Sequence, residues 1–82
     1  MRHIGSAGLD ALEPLLAQLR ALEGLREKKR GVFYRKSRAF LHFHEDPAGL
    51  FADVRFATAF ERFRVSTRAE HRALVKRIRS EL

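Results

Sequence analysis

The strongest constraint on this fold is a tight turn that lies between two alternating segments. The sequence Asp-Pro-Ala-Gly at positions 46–49 has a proline in the second place and a glycine in the last, as β-turns favour. Apolar residues recur at every second position over 39–43 and again over 50–56. A period of two is typical of strands with one buried face. The sequence therefore predicts an antiparallel β-hairpin.

The turn also predicts which residues of the hairpin face each other. Counted outward from a four-residue turn, the pairs are Glu45–Leu50, His44–Phe51, Phe43–Ala52, His42–Asp53 and Leu41–Val54. Apolar residues then meet on one face, which is the internal test of a register. We expect this face to be the core face, and its residues are Ala39, Leu41, Phe43, Leu50, Ala52, Val54 and Phe56.

The segments around this hairpin complete an α+β domain. We predict a flexible tail over residues 1–8 and a single domain over 9–82. Leucines at spacings of three and four predict an amphipathic N-terminal helix, which could continue through the charged run 26–30. Thr67 and Glu70 have the spacing of a capping box. The predicted fold is an N-terminal helix, a three- to four-stranded antiparallel β-meander and a C-terminal helix packed on one sheet face.

The opposite face of this sheet has an unusual composition. We expect Phe33 opposite Phe40, and a four-residue turn before the last strand pairs Asp53 with Arg64 and Arg55 with Arg62. The residues predicted on this second face are Phe33, Phe40, His42, His44, Phe51, Asp53, Arg55, Arg62 and Arg64. A solvated sheet face rarely carries three phenylalanines. We therefore expect a cover, which is the chain's own tail or a helix, a homodimer partner, or an external ligand such as nucleic acid.

Basic residues are concentrated in two blocks of the chain. The net charge is +7, and residues 20–38 sum to +6 while residues 62–82 sum to +5. The first block predicts a basic rim, formed by Lys28, Lys29, Arg30, Arg35, Lys36 and Arg38. Such a rim favours phosphate or another anion. The alternative is codon bias, which places arginine on ordinary solvated surfaces, since 13 of the 17 basic residues are arginine.

Two histidines and an aspartate are candidates for metal binding or catalysis. His42 and His44 on one strand, with Asp53 on the next, have the residue types of a two-histidine, one-carboxylate metal site. The alternative, which we favour because this spacing is common by chance, is a cross-strand hydrogen bond from His42 to Asp53. Cysteine is absent, and Ser37 and Ser66 fall in a turn and a cap. We therefore predict no catalytic residue and no cofactor, and a small metal-assisted enzyme is only a minor alternative.

Further absences exclude several classes of protein. Without cysteine, the chain has no disulfide, iron–sulfur cluster or cysteine zinc site. No apolar run approaches the ~18–20 residues of a membrane span. The first residues lack the pattern of a signal peptide. We expect a cytoplasmic protein that makes no contact with a membrane.

The stretch KKRGVFYRKSRAFLHFHEDPAGLFADVR, residues 28–55, resembles a family of short bacterial hypothetical proteins. The resemblance extends from about Leu22 to the C-terminus, and it implies a bacterial cytoplasmic origin and a compact α+β fold but no activity. The leading functional expectation from the residues is a non-catalytic module for self-association or protein binding. The alternative is the binding of nucleic acid or another anion by the second sheet face and the basic rim.

Overall fold

The computed structural model describes residues 2–82, and Met1, the first residue of the predicted tail, lies outside this range. The strands are β1 (Arg2–His3), β2 (Arg26–Lys29), β3 (Val32–Arg35), β4 (Arg38–Asp46), β5 (Gly49–Val54) and β6 (Glu61–Arg64). The helices are α1 (Ser6–Ala11), α2 (Glu13–Arg20) and α3 (Arg68–Glu81). The α+β class is therefore confirmed, with more strands than predicted.

All strand pairs are antiparallel, and they form one sheet. The order is β2-β3-β4-β5-β6, and β1 pairs with β4. Strand β4 is the longest, with nine residues. One of its edges pairs with β5, and the other pairs first with β3 and then with β1. The sheet is therefore organised around β4.

The hairpin of β4 and β5 has the predicted register. All five predicted pairs are present. The turn is stabilised by Asp46, whose Oδ1 accepts a hydrogen bond from the Ala48 N–H at 2.7 Å. Gly49 has a φ of +139°, a conformation that side chains rarely adopt. The turn sequence and the alternation of apolar residues therefore specify the same register, since a slip of one residue would expose the core face.

The core lies between one face of the sheet and the helices. The buried apolar residues are Leu12, Leu15, Leu16, Leu19, Phe33, Phe40, Leu41, Phe43, Ala52, Val54, Val65, Leu74, Val75 and Ile78. The predicted capping box begins α3. Thr67 Oγ1 accepts from the Glu70 N–H at 3.1 Å, and Glu70 Oε1 accepts from the Thr67 N–H at 3.0 Å. This cap satisfies two backbone donors at the start of the helix.

The predicted pairing of Phe33 with Phe40 is wrong, and both rings lie in the core. Phe33 lies opposite Leu41, because a β-bulge inserts Phe40 into β4. The exposed fractions of Phe33 and Phe40 are 0% and 3%. Burial of a phenylalanine side chain contributes about 1.5–3 kcal/mol. Removal of these two rings from water explains the departure from simple alternation.

The register of β5 and β6 is shifted by two residues from the predicted one. Asp53 lies opposite Arg62 rather than Arg64. The connection between these strands, residues 55–60, is two residues longer than predicted, so Arg55 does not face Arg62. A shift of two residues changes partners but leaves each side chain on its predicted face. This register brings Arg62 to the carboxylate of Asp53.

The predicted continuation of the N-terminal helix through the charged run 26–30 is wrong. Helix α2 ends at Arg20, and Arg26–Lys29 form strand β2, which pairs with β3. Gly24 has a φ of +96° between these two elements. Such a left-handed residue redirects the chain between the helix and the strand. The charged run is therefore an edge strand, and charged edge strands resist pairing with other chains.

The residues predicted as a flexible tail contain regular structure. In β1, Arg2 lies opposite Glu45, and His3 lies opposite His44. Helix α1 then begins at Ser6. The edge of β4 beyond β3 provides the partner for β1, and this partner is not visible in the local sequence.

The burial of Phe33 predicts a large loss of stability on truncation. Phe33→Ala is expected to reduce the free energy of unfolding by about 3–5 kcal/mol. This loss is as large as the total stability that a core of this size usually supplies. Phe51→Ala is expected to cost clearly less, because Phe51 is only half-buried. Thermal and urea unfolding of both variants measures this difference. Equal losses would contradict the placement of Phe33 in the core.

Glu27 connects β2 to α2 and predicts a pH dependence of stability. Its carboxylate accepts from the Gly31 N–H at 3.0 Å and from Arg20 Nη2 at 3.1 Å. The bond from Arg20 holds the pKa of Glu27 below its usual 4.5. Such a group stabilises the fold above its unfolded pKa and loses this contribution as the pH falls through the folded value.

We therefore expect the free energy of unfolding of the wild type to fall more steeply below pH 4.5 than that of Glu27→Gln. Urea titrations of the two proteins from neutral to acidic pH measure the difference. A difference that stays constant across the series would argue against a folded-state ion pair at Glu27.

Candidate functional site

Two arrangements of polar side chains lie outside the core. The first, the histidine–aspartate cluster, consists of His3, His42, His44, Asp53 and Arg62. The second, the cationic cleft, is bounded by Arg35, Lys36, Arg38 and Arg55.

Asp53 is the centre of the histidine–aspartate cluster. Its carboxylate accepts from Arg62 Nε at 2.8 Å and from Arg62 Nη2 at 2.9 Å. Oδ2 also lies 3.1 Å from His44 Nε2 and 3.5 Å from His42 Nε2. Only 11% of the side chain is exposed. The bond from Arg62 holds the pKa of Asp53 below its usual 3.8, against the opposing effect of burial. The carboxylate is therefore charged at neutral pH.

The imidazole rings of the cluster are in mutual contact. The centroids of His42 and His44 are 4.9 Å apart, and His3 stacks on His44 at 5.2 Å. Burial lowers the pKa of His42 below its usual 6.5, although the charge of Asp53 acts in the opposite direction. His42 is therefore uncharged at neutral pH. The closer contact to Asp53 comes from His44 rather than from His42, which lies directly opposite.

The cationic cleft is built around the turn between β3 and β4. Lys36 and Ser37 have positive φ angles of 52° and 67°. A two-residue turn of this conformation matches the twist of the flanking strands. It places Arg35 opposite Arg38 at the ends of these strands. Three cations are thus brought together by four consecutive residues.

Arg55 completes the cleft just after the end of β5. One of its guanidinium nitrogens donates a hydrogen bond to the carbonyl of Ala39, which anchors the side chain beside the turn. The cleft has a volume of about 170 Å³, and Phe40 and Phe56 contribute to its lining. None of its four cations forms an ion pair with a carboxylate within residues 2–82. Their charge is therefore available to an external anion.

Phe60 connects the two arrangements. Its ring is 40% exposed, and its centroid lies 5.1 Å from the guanidinium carbon of Arg55 and 5.0 Å from the ring of His42. Phe60 was not among the candidate residues predicted from the sequence, although a phenylalanine in a turn indicates a ring that is exposed to ligands. His3 lay in the predicted tail, and no local pattern pointed to it.

Other residues predicted on the second face have separate environments. Phe33 and Phe40 are core residues, as described above. Phe51 lies half-buried opposite His44. Arg64 donates to Glu70 at 3.2 Å, at the first turn of α3. This face is therefore less aromatic than predicted.

The basic rim predicted from the sequence is divided by the fold. Lys28 lies 4.8 Å from the centroid of the Tyr34 ring. Arg30 is bound to Asp10 at 2.8 Å, and Lys29 is exposed. Only the second half of the rim, residues 35–38, contributes to the cationic cleft.

The chain matches no family model, no curated protein and no solved structure. The resemblance to short bacterial proteins therefore stays a prediction. The longest helix, α3, has 14 residues, and none of the helices within residues 2–82 is long and apolar enough to cross a membrane.

The pair of Asp53 and Arg62 predicts a measurable coupling. The carboxylate is mostly buried and bound through both oxygens, whereas 49% of the Arg62 side chain is exposed. A favourable coupling is expected for this pair, because its carboxylate is mostly buried while its guanidinium is half exposed. A double-mutant cycle with Asp53→Asn and Arg62→Gln measures it. The coupling should decrease as salt is added, and additive effects of the two substitutions would rule out a stabilising pair.

Proposed function

We propose that the protein binds single-stranded nucleic acid, with phosphates in the cationic cleft and a base against Phe60. The observation that carries this proposal is the convergence of four cations without an acidic partner in the described part of the chain. Neutralisation of phosphates by lysine and arginine supplies a large part of the affinity of proteins for nucleic acid.

The convergence of four cations at one cleft favours anion binding over codon bias. Arg20 is bound to Glu13 and Glu27, and Arg62 is bound to Asp53. Codon bias increases the number of arginines on a surface, but it provides no reason for four cations to meet at one cleft. Keeping like charges together costs free energy unless an anion or solvent screens them. The cleft is therefore better explained as a site for an anion.

Phe60 distinguishes nucleic acid from simpler anions. Its ring is 40% exposed, and Arg55, which lies beside it, also lines the cleft. A phosphate in the cleft would therefore have a base within reach of this ring. Stacking of a base on an aromatic side chain contributes about 1–3 kcal/mol and requires no particular sequence. A single strand is favoured, because the bases of a duplex are already stacked and paired.

Self-association, the leading expectation from the sequence, stays a prediction. It rested on three phenylalanines on the second sheet face, and two of them, Phe33 and Phe40, are buried in the core. The need for a protein cover is correspondingly smaller, so we place nucleic-acid binding first. A cytoplasmic location also stays a prediction, and it makes RNA the first strand to test.

Fluorescence anisotropy with labelled oligouridylate and oligothymidylate tests this function. If four phosphates are contacted, the plot of log Kobs against log salt concentration is expected to have a slope of about −3. The double variant Arg35→Gln/Arg38→Gln should halve this slope, because two of the four cations are removed. It should also weaken binding at low salt by more than about tenfold.

Two controls make the test specific. Arg68→Gln/Arg72→Gln removes the same charge from exposed positions on α3, and it should retain nearly full affinity. Phe60→Ser should weaken binding to the oligonucleotides but not to heparin, a polyanion without bases. The proposal fails if the wild type does not bind at low salt, or if both double variants lose affinity equally. Light scattering of the same samples measures self-association.

A further inference from the structure

Three potential ligand atoms converge in the histidine–aspartate cluster. One ring nitrogen of His42, one ring nitrogen of His44 and a carboxylate oxygen of Asp53 all lie within 4.8 Å of one another. Two of the three separations are only 3.1 Å and 3.5 Å. Bonds from zinc to nitrogen and oxygen ligands are about 2.0–2.2 Å long, so ligands on one ion are separated by similar distances of about 3–3.5 Å. Small side-chain rotations would therefore complete a three-ligand site.

We propose that His42, His44 and Asp53 bind a divalent transition-metal ion, for which Zn²⁺ is the probe. Two imidazoles and one carboxylate are the donors of an open facial site, and this set suits zinc, iron, cobalt or nickel better than magnesium or calcium. The histidines are two residues apart on β4, and Asp53 lies on the neighbouring strand directly opposite His42. The sheet thus holds the three donors at a defined spacing, while the remaining coordination positions face away from the strands.

Arg62 is the internal competitor of the metal ion. Its guanidinium binds both oxygens of Asp53, at 2.8 Å and 2.9 Å. The Arg62 side chain is 49% exposed, whereas that of Asp53 is 11% exposed. Arg62 can therefore turn into solvent, while the carboxylate stays in place. The Arg62 guanidinium and the metal ion are alternative partners of Asp53, since each compensates the same buried negative charge.

Both histidines present Nε2 to the same carboxylate oxygen, Oδ2 of Asp53, at 3.1 Å for His44 and 3.5 Å for His42. Nδ1 of His44 is buried without a hydrogen-bond partner among the described residues. A metal ion bound at Nε2 of His44 would leave the ring proton on Nδ1, which then needs a water molecule as its acceptor. His3, stacked on His44, is exposed and closes one side of the cluster.

Competition with a chromophoric chelator tests the site in the full chain, prepared without a histidine tag and treated to remove bound metal. The wild type is expected to bind one equivalent of Zn²⁺. His44→Gln and Asp53→Asn should each weaken Zn²⁺ binding by about tenfold or more, because each substitution removes a direct ligand. Arg62→Gln should strengthen binding severalfold, because the competing charge is removed while a hydrogen-bond donor remains.

Two matched variants serve as controls. Asp10→Asn removes a carboxylate that is 70% exposed and distant in sequence from the cluster, and Arg35→Gln/Arg38→Gln alters only the cationic cleft. Both should bind Zn²⁺ like the wild type, so failure of this proposal and failure of the nucleic-acid proposal are distinguishable. Thermal unfolding in the absence of metal verifies that each variant is folded.

Thermal unfolding with added Zn²⁺ provides a second readout. A ligand that binds only the folded state raises the melting temperature by mass action. The wild type should be stabilised by Zn²⁺, and Asp53→Asn should not. Equal affinities of the wild type and Asp53→Asn would overturn the site, as would the absence of saturable binding. An affinity of Arg62→Gln no higher than that of the wild type would overturn the competition.

Discussion

The pairing of β4 with β5 is the constraint on which the rest of the molecule depends. Because side chains alternate along β4, the register that buries Leu41 and Phe43 also places His42 and His44 on the opposite face. The core and the histidine–aspartate cluster are therefore two consequences of one register. A slip of a single residue would bury imidazoles and expose large apolar rings. The cluster cannot be displaced without loss of the core, which gives it a rigid scaffold.

Asp53 shows how this scaffold handles a buried charge. A carboxylate removed from water is costly unless it is paired and hydrogen-bonded. Arg62 meets this requirement from β6, and the two histidines approach from β4. The shift of β6 by two residues makes Arg62 rather than Arg64 the partner of this carboxylate. The stability of the last strand and the chemistry of the cluster are thus linked through one side chain.

The fold also sorts the cations of a strongly basic chain. Arginines such as Arg20, Arg30 and Arg62 find carboxylates from other elements. The cations around the β3–β4 turn find none among residues 2–82, and Arg55 adds a further charge there. Tertiary structure therefore places four of the chain's 17 basic side chains around one cleft. Its neighbour Phe60 gives this cleft an aromatic surface that a simple anion would not use.

The sequence by itself determined the turn at 46–49, the register of β4 with β5 and the capping box of α3. Each depends on turn chemistry or periodicity within a short segment, so the signal is local. Only the tertiary structure decided that Phe40 forms a bulge, that 26–29 is a strand, that His3 belongs to the cluster and that Phe60 adjoins it. These outcomes depend on which distant surfaces are left to bury or pair. Burial and pairing between distant segments have no period along the chain, and for this reason the sequence alone could not show them.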